Sequence, residues 1–159
     1  MLVAAGIAAG ATLAVDQVTK AMTRRSMEPD ETRDLALDGQ VGIGHIQNFG
    51  SAYGLVPNMP TWIPAVGTAV IGGALLALGS RFGSGAAAAS GRGAITTMAA
   101  GIGAGLVIGG GLGNVIDRVH QGHVTDMIHT TDLFGYYNVA DIAVNAGLVA
   151  GVGAIMFAR

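Results

Sequence analysis

Residues 93–116, GAITTMAAGIGAGLVIGGGLGNVI, form a run of 24 residues without a formal charge that ends directly before Asp117 and Arg118. Three further uncharged runs occupy residues 1–15, 61–80 and 142–158. Only 11% of the 159 residues are charged, against about 25% in a soluble domain, and almost all of these charges lie between the runs. Because about 20 apolar helical residues cross a bilayer core, the pattern predicts one membrane domain over residues 1–159, with spans near 1–22, 61–80, 94–115 and 139–158.

The overall composition excludes several classes of protein. A net charge of −2 and the absence of a basic patch argue against a nucleic-acid partner. The sequence contains no cysteine, which excludes disulfide bonds, a thiolate nucleophile and lipidation of the chain itself. Since the N-terminus lacks the basic region of a cleavable signal peptide, we expect the first span to be retained as an anchor.

Small residues recur every four positions in the uncharged runs and predict close helix packing. In lipid, small residues let helix backbones approach each other and gain dispersion energy. The second and third runs each supply a series of four small residues, the fourth run supplies a series of three, and the first run supplies a pair. The series are Gly101, Gly105, Gly109 and Gly113 in the third run, Ala65, Ala69, Gly73 and Ala77 in the second, Ala143, Gly147 and Gly151 in the fourth, and Gly6 and Gly10 in the first.

The connection between the first two spans, residues 24–60, contains a mixed charged stretch followed by VGIGHIQNFGSAYG at 41–54. The alternation of Val41, Ile43 and His45 with other residues predicts a short strand that ends in a glycine turn. We expect a small β element on the membrane surface there.

The connection at 81–93 is a short hinge of glycine, alanine and serine. Counting basic residues would place 24–60 in the cytoplasm, but several of these residues lie among aspartates, so the count does not decide the orientation.

Four aspartates lie at the ends of the predicted spans. In a four-span topology all of them fall on the same side as the long connection: Asp16, Asp117, Asp126 and Asp141. Lys20 follows Asp16 by one helical turn and is placed to pair with it, and Arg118 follows Asp117 directly. Ionisable groups at membrane depth are costly, so their convergence on one face indicates a functional site.

Asp126 and Asp141 have no cationic neighbour in the sequence, which makes them the candidates for a reactive pair. Two carboxyl groups close together in a low dielectric cannot both ionise, so they share one proton, as in the aspartic proteases. The ionised partner then takes a proton from water while the protonated partner donates to the carbonyl oxygen of a peptide bond. The pattern therefore indicates peptide hydrolysis, with Asp16 and Asp117 as supporting residues.

Two alternatives remain open at this point. One is a small polytopic metal-binding hydrolase, based on a three-residue repeat of ligand types: His120, His123, Asp126 and His129. Gly122 and the β-branched residues after it argue against a continuous helix through that repeat. The other is an ion-coupled transporter, which would also carry carboxylates in a small bundle. A transporter would place them near the middle of the membrane rather than at one interface.

Five short blocks appear in order along the chain: DQVTK at 16–20, NFGSAYG at 48–54, GGGLGNVIDR at 109–118, GHVTD at 122–126 and YNVAD at 137–141. Together they resemble the bacterial lipoprotein signal peptidases, the type II or prolipoprotein signal peptidase family, from the first span to the last. The resemblance implies an all-α membrane fold of four transmembrane helices, with a small extracytoplasmic β-cradle between helices 1 and 2 and a short outer helix. It also implies an intramembrane aspartyl endopeptidase that removes signal peptides from diacylglyceryl-modified prolipoproteins, cutting before the lipidated cysteine.

The resemblance assigns roles to individual residues. The catalytic positions of the family fall on Asp126 and Asp141. Positions that support the site or hold the substrate fall on Asp16, Lys20, Asn48, Gly50, Gly54, Asn114, Asp117, Arg118, Asn138 and Ala140. The family implies no cofactor and no metal. We expect a monomer in the bacterial inner membrane, in contact with membrane lipid and lipidated prolipoproteins, with its active site at the extracytoplasmic face.

The sequence departs from the family pattern at a few positions. Phe49 and Ser51 stand where threonine and alanine are usual, Gly111 replaces a common alanine, and Tyr137 replaces a common phenylalanine. The segment between the two catalytic positions is also a few residues short. These departures concern the outer lid and the substrate preference rather than the reaction.

Overall fold

The computed structural model of the chain describes residues 1–50, 59–84, 91–130 and 135–158. Its helices are α1 (Leu2–Ser26), α2 (Trp62–Phe82), α3 (Arg92–Gln121) and α4 (Val139–Met156). All four are long and apolar enough to cross a membrane, which confirms the predicted four-helix membrane fold. Each helix overlaps one of the predicted spans. Helices α1 and α3 continue past the predicted span ends at 22 and 115, and α4 ends two residues before the predicted end at 158.

A four-stranded antiparallel sheet lies beside one end of the helices. Its strands are β1 (Thr32–Ala36), β2 (Val41–Asn48), β3 (Val124–Thr130) and β4 (Tyr136–Tyr137), in the spatial order β1-β2-β3-β4. The strand predicted after residue 40 is confirmed as β2. The sheet is not confined to the connection between α1 and α2, however, because β3 and β4 come from the connection between α3 and α4. The short outer helix is not tested, since residues 51–58 lie outside the described residues.

Gly122 makes the junction between α3 and the sheet. Its φ of +79° is a left-handed conformation that glycine adopts without the steric cost of a side chain. The backbone N–H of Gly122 donates to the carbonyl oxygen of Arg118 at 3.1 Å and so ends the helix. The β-branched Val124 and Thr125 then begin β3. The chain therefore changes from helix to strand directly before Asp126.

Helix α3 contacts each of the other three helices, and its glycines form the contact surfaces. The series Gly101, Gly105, Gly109 and Gly113 faces α1 and the residue before it, which confirms the predicted close packing. A second set, Gly103 and Gly110, faces the backbone of α4, and Gly111 faces Thr68 of α2. A side-chain carbon on Gly109 would lie only 2.5 Å from the carbonyl oxygen of Ala9. The absence of side chains is what allows three helices to pack around this one.

The predicted small-residue series is right for α4 and wrong for α1 and α2. Ala143, Gly147 and Gly151 are buried in α4. Gly6 and Gly10 have no atom near their missing side chains, and α1 packs instead through the face of Ala5, Thr12 and Asp16. In α2 the residues Ala69, Gly73 and Ala77 are exposed, while Gly72, Leu75 and Gly79 are buried. Small residues occur on several faces of these helices, so their spacing alone does not identify the face that packs.

Replacing Gly109 by alanine should destabilise the bundle, because the new methyl group must push α1 away from α3. Overpacking of this kind costs about 1–3 kcal/mol. Gly153→Ala in α4 is the matched control, since nothing lies within 4 Å of that position. The control should be neutral or slightly stabilising, because alanine favours a helix over glycine by up to about 1 kcal/mol. The measurement is the melting temperature of each variant in detergent, and equal melting temperatures would contradict the packing described here.

Candidate active site

Asn138 connects the two carboxyl groups that the sequence singles out. Its side-chain nitrogen donates to Oδ1 of Asp126 at 2.6 Å, and its backbone nitrogen donates to Oδ2 of Asp141 at 3.2 Å. The remaining oxygens also accept amide donors, Asp126 Oδ2 from Asn48 at 2.8 Å and Asp141 Oδ1 from Asn114 at 2.9 Å. The two aspartates, which are 15 positions apart in sequence, therefore belong to one hydrogen-bonded group.

The side-chain amides of Asn138 and Asn48 each have a fixed orientation. The carbonyl oxygen of Asn138 accepts the backbone N–H of Asp141 at 3.0 Å, and the carbonyl oxygen of Asn48 accepts the backbone N–H of Gly50 at 2.9 Å. A backbone N–H only donates, so the oxygen of each amide must face it. The NH₂ group of each amide is therefore left to face Asp126.

Local secondary structure places both carboxyl groups. Asn48 pairs with Val124 across β2 and β3, so Asp126 is its diagonal neighbour on the same face of the sheet. Asp141 is the third residue of α4 and forms a reciprocal capping box with Asn138, in which each side chain accepts the backbone N–H of the other. One carboxyl group thus comes from a strand and the other from a helix N-terminus.

Lys20 lies beneath these two carboxyl groups with its side chain fully buried. Its Nζ is 2.9 Å from Asp16 Oδ2 and 3.4 Å from Asp117 Oδ2, and it donates to Asn114 Oδ1 at 2.8 Å. The predicted pairing of Asp16 with Lys20 is confirmed. The second oxygen of Asp16 accepts the backbone N–H of Ala140 at 3.0 Å, which fixes the start of α4. The buried cation therefore connects α1, α3 and α4.

Asp117 does not pair with Arg118, its neighbour in sequence. Its carboxylate lies 3.5 Å from Arg24 and accepts the backbone N–H of Thr125 at 3.0 Å. Arg24 also donates to the hydroxyl oxygen of Thr125 at 2.9 Å. Sequence reasoning missed Arg24 and Thr125. The signal was present, because Arg24 follows Lys20 by one helical turn and continues the face that contains Asp16.

Arg118 points toward the connection after β2 instead. It donates to the carbonyl oxygen of Gly50 at 2.6 Å and to that of Asn114 at 3.3 Å. The resemblance assigns Asn48 and Gly50 to the site. Both lie against it, since Asn48 donates to Asp126 and Gly50 accepts from Arg118. Gly54 lies outside the described residues, so its expected role is untested.

A cavity of about 310 Å³ opens beside the two carboxyl groups. Asp126, Asp141, Asn48, Asn114 and Arg118 contribute its polar wall. The opposite wall comes from α2 and is largely apolar: Pro64, Gly67, Thr68 and Ile71. A larger cavity of about 470 Å³, between the end of α1 and β2, contains neither carboxyl group.

Burial and the neighbouring charge of Asp141 raise the pKa of Asp126 to about 7, although hydrogen bonds from Asn48 and Asn138 oppose the shift. The residue is 2% exposed. A carboxyl group with this pKa keeps its proton at near-neutral pH and can still release it. The arrangement therefore provides one carboxyl group that can donate a proton, beside a second that can accept one.

The metal-binding alternative receives no support from the positions of the histidines. In residues 1–50, 59–84, 91–130 and 135–158, no three histidine or acidic side chains are grouped to hold a metal ion. His120 is exposed at the end of α3. His123 packs edge-on against Phe49, with 5.4 Å between ring centroids. These histidines do not join Asp126 in a ligand set.

Known proteins resemble this chain over most of its length. The family model described as "Signal peptidase (SPase) II" matches residues 8–157. The lipoprotein signal peptidase of Geobacillus thermodenitrificans is 32% identical over 144 residues, covering 89% of this chain and 82% of that protein. The lipoprotein signal peptidase of Shouchella clausii is 33% identical over 141 residues, and the match covers 86% of this chain and 82% of that protein.

Two solved structures of a bacterial membrane enzyme share the fold. Their TM-scores are 0.69 and 0.66, each at 23% sequence identity and over 96% of this chain. The match covers 87% of the first solved chain and 92% of the second. At this identity the likeness establishes the fold and nothing further.

Lys20→Met should destabilise the protein strongly, because it leaves Asp16 buried without a cation and leaves Asp117 with Arg24 alone. Breaking a buried pair in this way costs about 3–5 kcal/mol. Arg33→Met is the matched control, since Arg33 pairs with Glu31 at 2.6 Å on the surface and is half-exposed. Its loss should leave the melting temperature near that of the wild type. Thermal unfolding in detergent compares the two, and a Lys20→Met protein as stable as Arg33→Met would contradict the network.

Proposed function

The chain belongs to the signal peptidase II family, and from this we propose that it is an intramembrane aspartic endopeptidase with Asp126 and Asp141 as its catalytic pair. Its substrates are diacylglyceryl-modified prolipoproteins, from which it removes the signal peptide by cutting before the lipidated cysteine. The observation that carries the proposal is the bridging of two buried carboxyl groups by Asn138 at the wall of one cavity.

The pKa of about 7 at Asp126 supports this chemistry. A pair that holds one proton near neutral pH has an acid and a base available together. Water between them attacks the scissile carbonyl carbon after losing a proton to the base, and the acid protonates the carbonyl oxygen. The surrounding amides orient both groups, so little reorganisation accompanies the reaction.

The surface of α4 supports a lipidated substrate. An apolar groove of about 670 Å³ runs along this helix and shares Tyr137, Asp141 and Asn145 with the cavity that contains the carboxyl groups. Ala146 and Val149 continue it along the outward face of the helix. A lipid-facing groove that reaches the reacting groups can hold the acyl chains of the diacylglyceryl cysteine while the peptide enters the cavity.

The arrangement of the site also supports its expected location. All contributing groups lie where the sheet meets the helices, which corresponds to one membrane interface. We assign this interface to the extracytoplasmic face of the bacterial cell membrane, where the signal peptides of exported lipoproteins are exposed. We propose that the enzyme acts as a monomer, since one chain supplies both carboxyl groups and the amides that orient them.

Asp126→Asn and Asp141→Asn should each abolish cleavage, because each removes a titratable oxygen that the reaction needs. The expected loss in kcat is roughly four orders of magnitude. Since the two groups act as one unit, the double variant should be scarcely worse than either single variant. Purified protein in detergent, a diacylglyceryl-modified prolipoprotein and an electrophoretic shift provide the assay.

Asp34→Asn is the matched control, because Asp34 is an exposed acid in β1 away from the site. It should cleave at the wild-type rate. Cleavage should also be insensitive to a chelator, and the same prolipoprotein without its diacylglyceryl group should be a poor substrate. Retained turnover in Asp141→Asn, or inactivation by the chelator, would overturn the proposal in favour of a metal-dependent reaction.

A further inference from the structure

The two carboxyl groups have different surroundings, and the first difference is the backbone. Asp141 lies in the first turn of α4, where the helix dipole favours a negative charge. Asp126 lies in β3, and a strand in a sheet provides only a small dipole. The backbone therefore favours ionisation of Asp141 over ionisation of Asp126.

The second difference is what holds the amide donors in place. Backbone N–H groups hold the amides of Asn48 and Asn138, which face Asp126, whereas a cation holds the amide of Asn114, which faces Asp141.

The oxygen of Asn114 accepts a hydrogen bond from Lys20 at 2.8 Å and another from Asn138 at 3.2 Å. An ammonium group has three donors and no acceptor, so the oxygen of Asn114 has to face Lys20. The NH₂ group is consequently turned to Asp141, to which it donates at 2.9 Å. A donor that cannot turn away stabilises the ionised form of the group it faces. Asp126 has such donors as well, in Asn48 and Asn138, but the donor to Asp141 belongs to an amide that is itself hydrogen-bonded to a cation.

The other charged and titratable groups around the pair do not reverse this preference. Among the residues that the structure describes, they are Asp16 from α1, Arg118 and Asp117 from α3, and Tyr136 and Tyr137 from β4. Arg118 attracts negative charge to both carboxyl groups. Asp16 repels a charge on Asp141, but it is paired with Lys20 at 2.9 Å. The side chains of α2 that line the cavity include no titratable group.

We infer that Lys20, acting through Asn114, is a positioning residue that keeps the negative charge on Asp141 and the proton on Asp126. Asp141 is then the general base and Asp126 the general acid of the reaction. This assignment rests on the proposed function and goes beyond it, because the pair alone does not determine which member holds the proton. The pKa of about 7 at Asp126 agrees with the assignment.

With these roles, the proton transfers of one turnover balance and return both carboxyl groups to their starting states. Asp141 takes a proton from water as the water oxygen bonds to the scissile carbonyl carbon, and Asp126 gives its proton to the carbonyl oxygen. In the second step Asp141 passes its proton to the amide nitrogen while Asp126 recovers a proton from one hydroxyl of the tetrahedral intermediate. The C–N bond then breaks and a carboxylic acid and an amine leave. Asp141 is again ionised and Asp126 again protonated.

A matched pair of variants tests the assignment. Asn114→Ala removes one amide donor from Asp141, and Asn48→Ala removes one amide donor from Asp126. Neither changes a charge. The measurement is the pH dependence of kcat/KM for a diacylglyceryl-modified prolipoprotein, whose acid limb reports the base and whose alkaline limb reports the acid.

Asn114→Ala should move the acid limb to higher pH by about one unit or more, the effect expected for losing a hydrogen bond to a charged group. Its alkaline limb should stay in place. Asn48→Ala should do the reverse, raising the alkaline limb and leaving the acid limb unchanged. If Asn48→Ala raised the acid limb and Asn114→Ala raised the alkaline limb, Asp126 would be the base. If neither limb moved in either variant, the amides would not determine which carboxyl group is ionised. Either result overturns the inference.

Lys20→Met tests the part of the inference that concerns the cation. It should raise the acid limb at least as far as Asn114→Ala does, because Asn114 is then free to turn its oxygen toward Asp141. An acid limb at the wild-type pH would exclude a positioning role for Lys20. If this variant does not fold, Asp16→Asn/Lys20→Met, which removes one charge of each sign, takes its place.

The outcomes separate this inference from the proposed function. If activity survives Asp126→Asn or Asp141→Asn, the two aspartates are not a catalytic pair, and the assignment of acid and base is wrong as well. Loss of activity in both aspartate variants, together with exchanged limb shifts in the asparagine variants, preserves the peptidase and overturns only the assignment of acid and base.

Discussion

The ammonium group of Lys20 lies out of contact with water at one end of the helix bundle, and its charge has to be satisfied there. A buried cation is tolerated when hydrogen bonds and opposite charges surround it. Each of its contacts leads to a different part of the site: Asp16 to the start of α4, Asp117 to strand β3, and Asn114 to the second carboxyl group. The contacts that pack α4 and β3 against the other helices therefore also place the two reacting carboxyl groups.

Close packing of the helices makes room for this network. Gly113 is the last residue of the glycine series on α3, and the carboxylate of Asp16 occupies the space where its side chain would be. Gly110 similarly lets the backbone of α4 approach at Ala140, whose N–H binds Asp16. The same absence of side chains that lets helices pack in lipid thus brings α1 and α4 close enough to share a buried carboxylate.

The sequence predicts the parts of this structure that depend on repetition or on rare residues. Long uncharged runs predict the helices. Isolated aspartates in such a chain predict the site, because a charge at membrane depth is energetically costly and usually serves a function. The paired strands β3 and β4 and the cationic partners of Asp117 could not be predicted in the same way. The strands depend on contacts between distant segments. Arg24 follows Lys20 by one helical turn, but it also begins the charged stretch predicted as a connection, and only the fold shows that α1 continues to Ser26.

Infrared spectroscopy of the purified protein tests most directly the claim that the pair holds its proton on Asp126. Exposed carboxyl groups lose their protons near pH 4, so a protonated carboxyl band that persists above this range and disappears near pH 7 belongs to the buried pair. This band should be absent from Asp126→Asn and present in Asp141→Asn, where it should titrate at lower pH because the neighbouring charge is gone. A band that survives Asp126→Asn and vanishes in Asp141→Asn would contradict this claim.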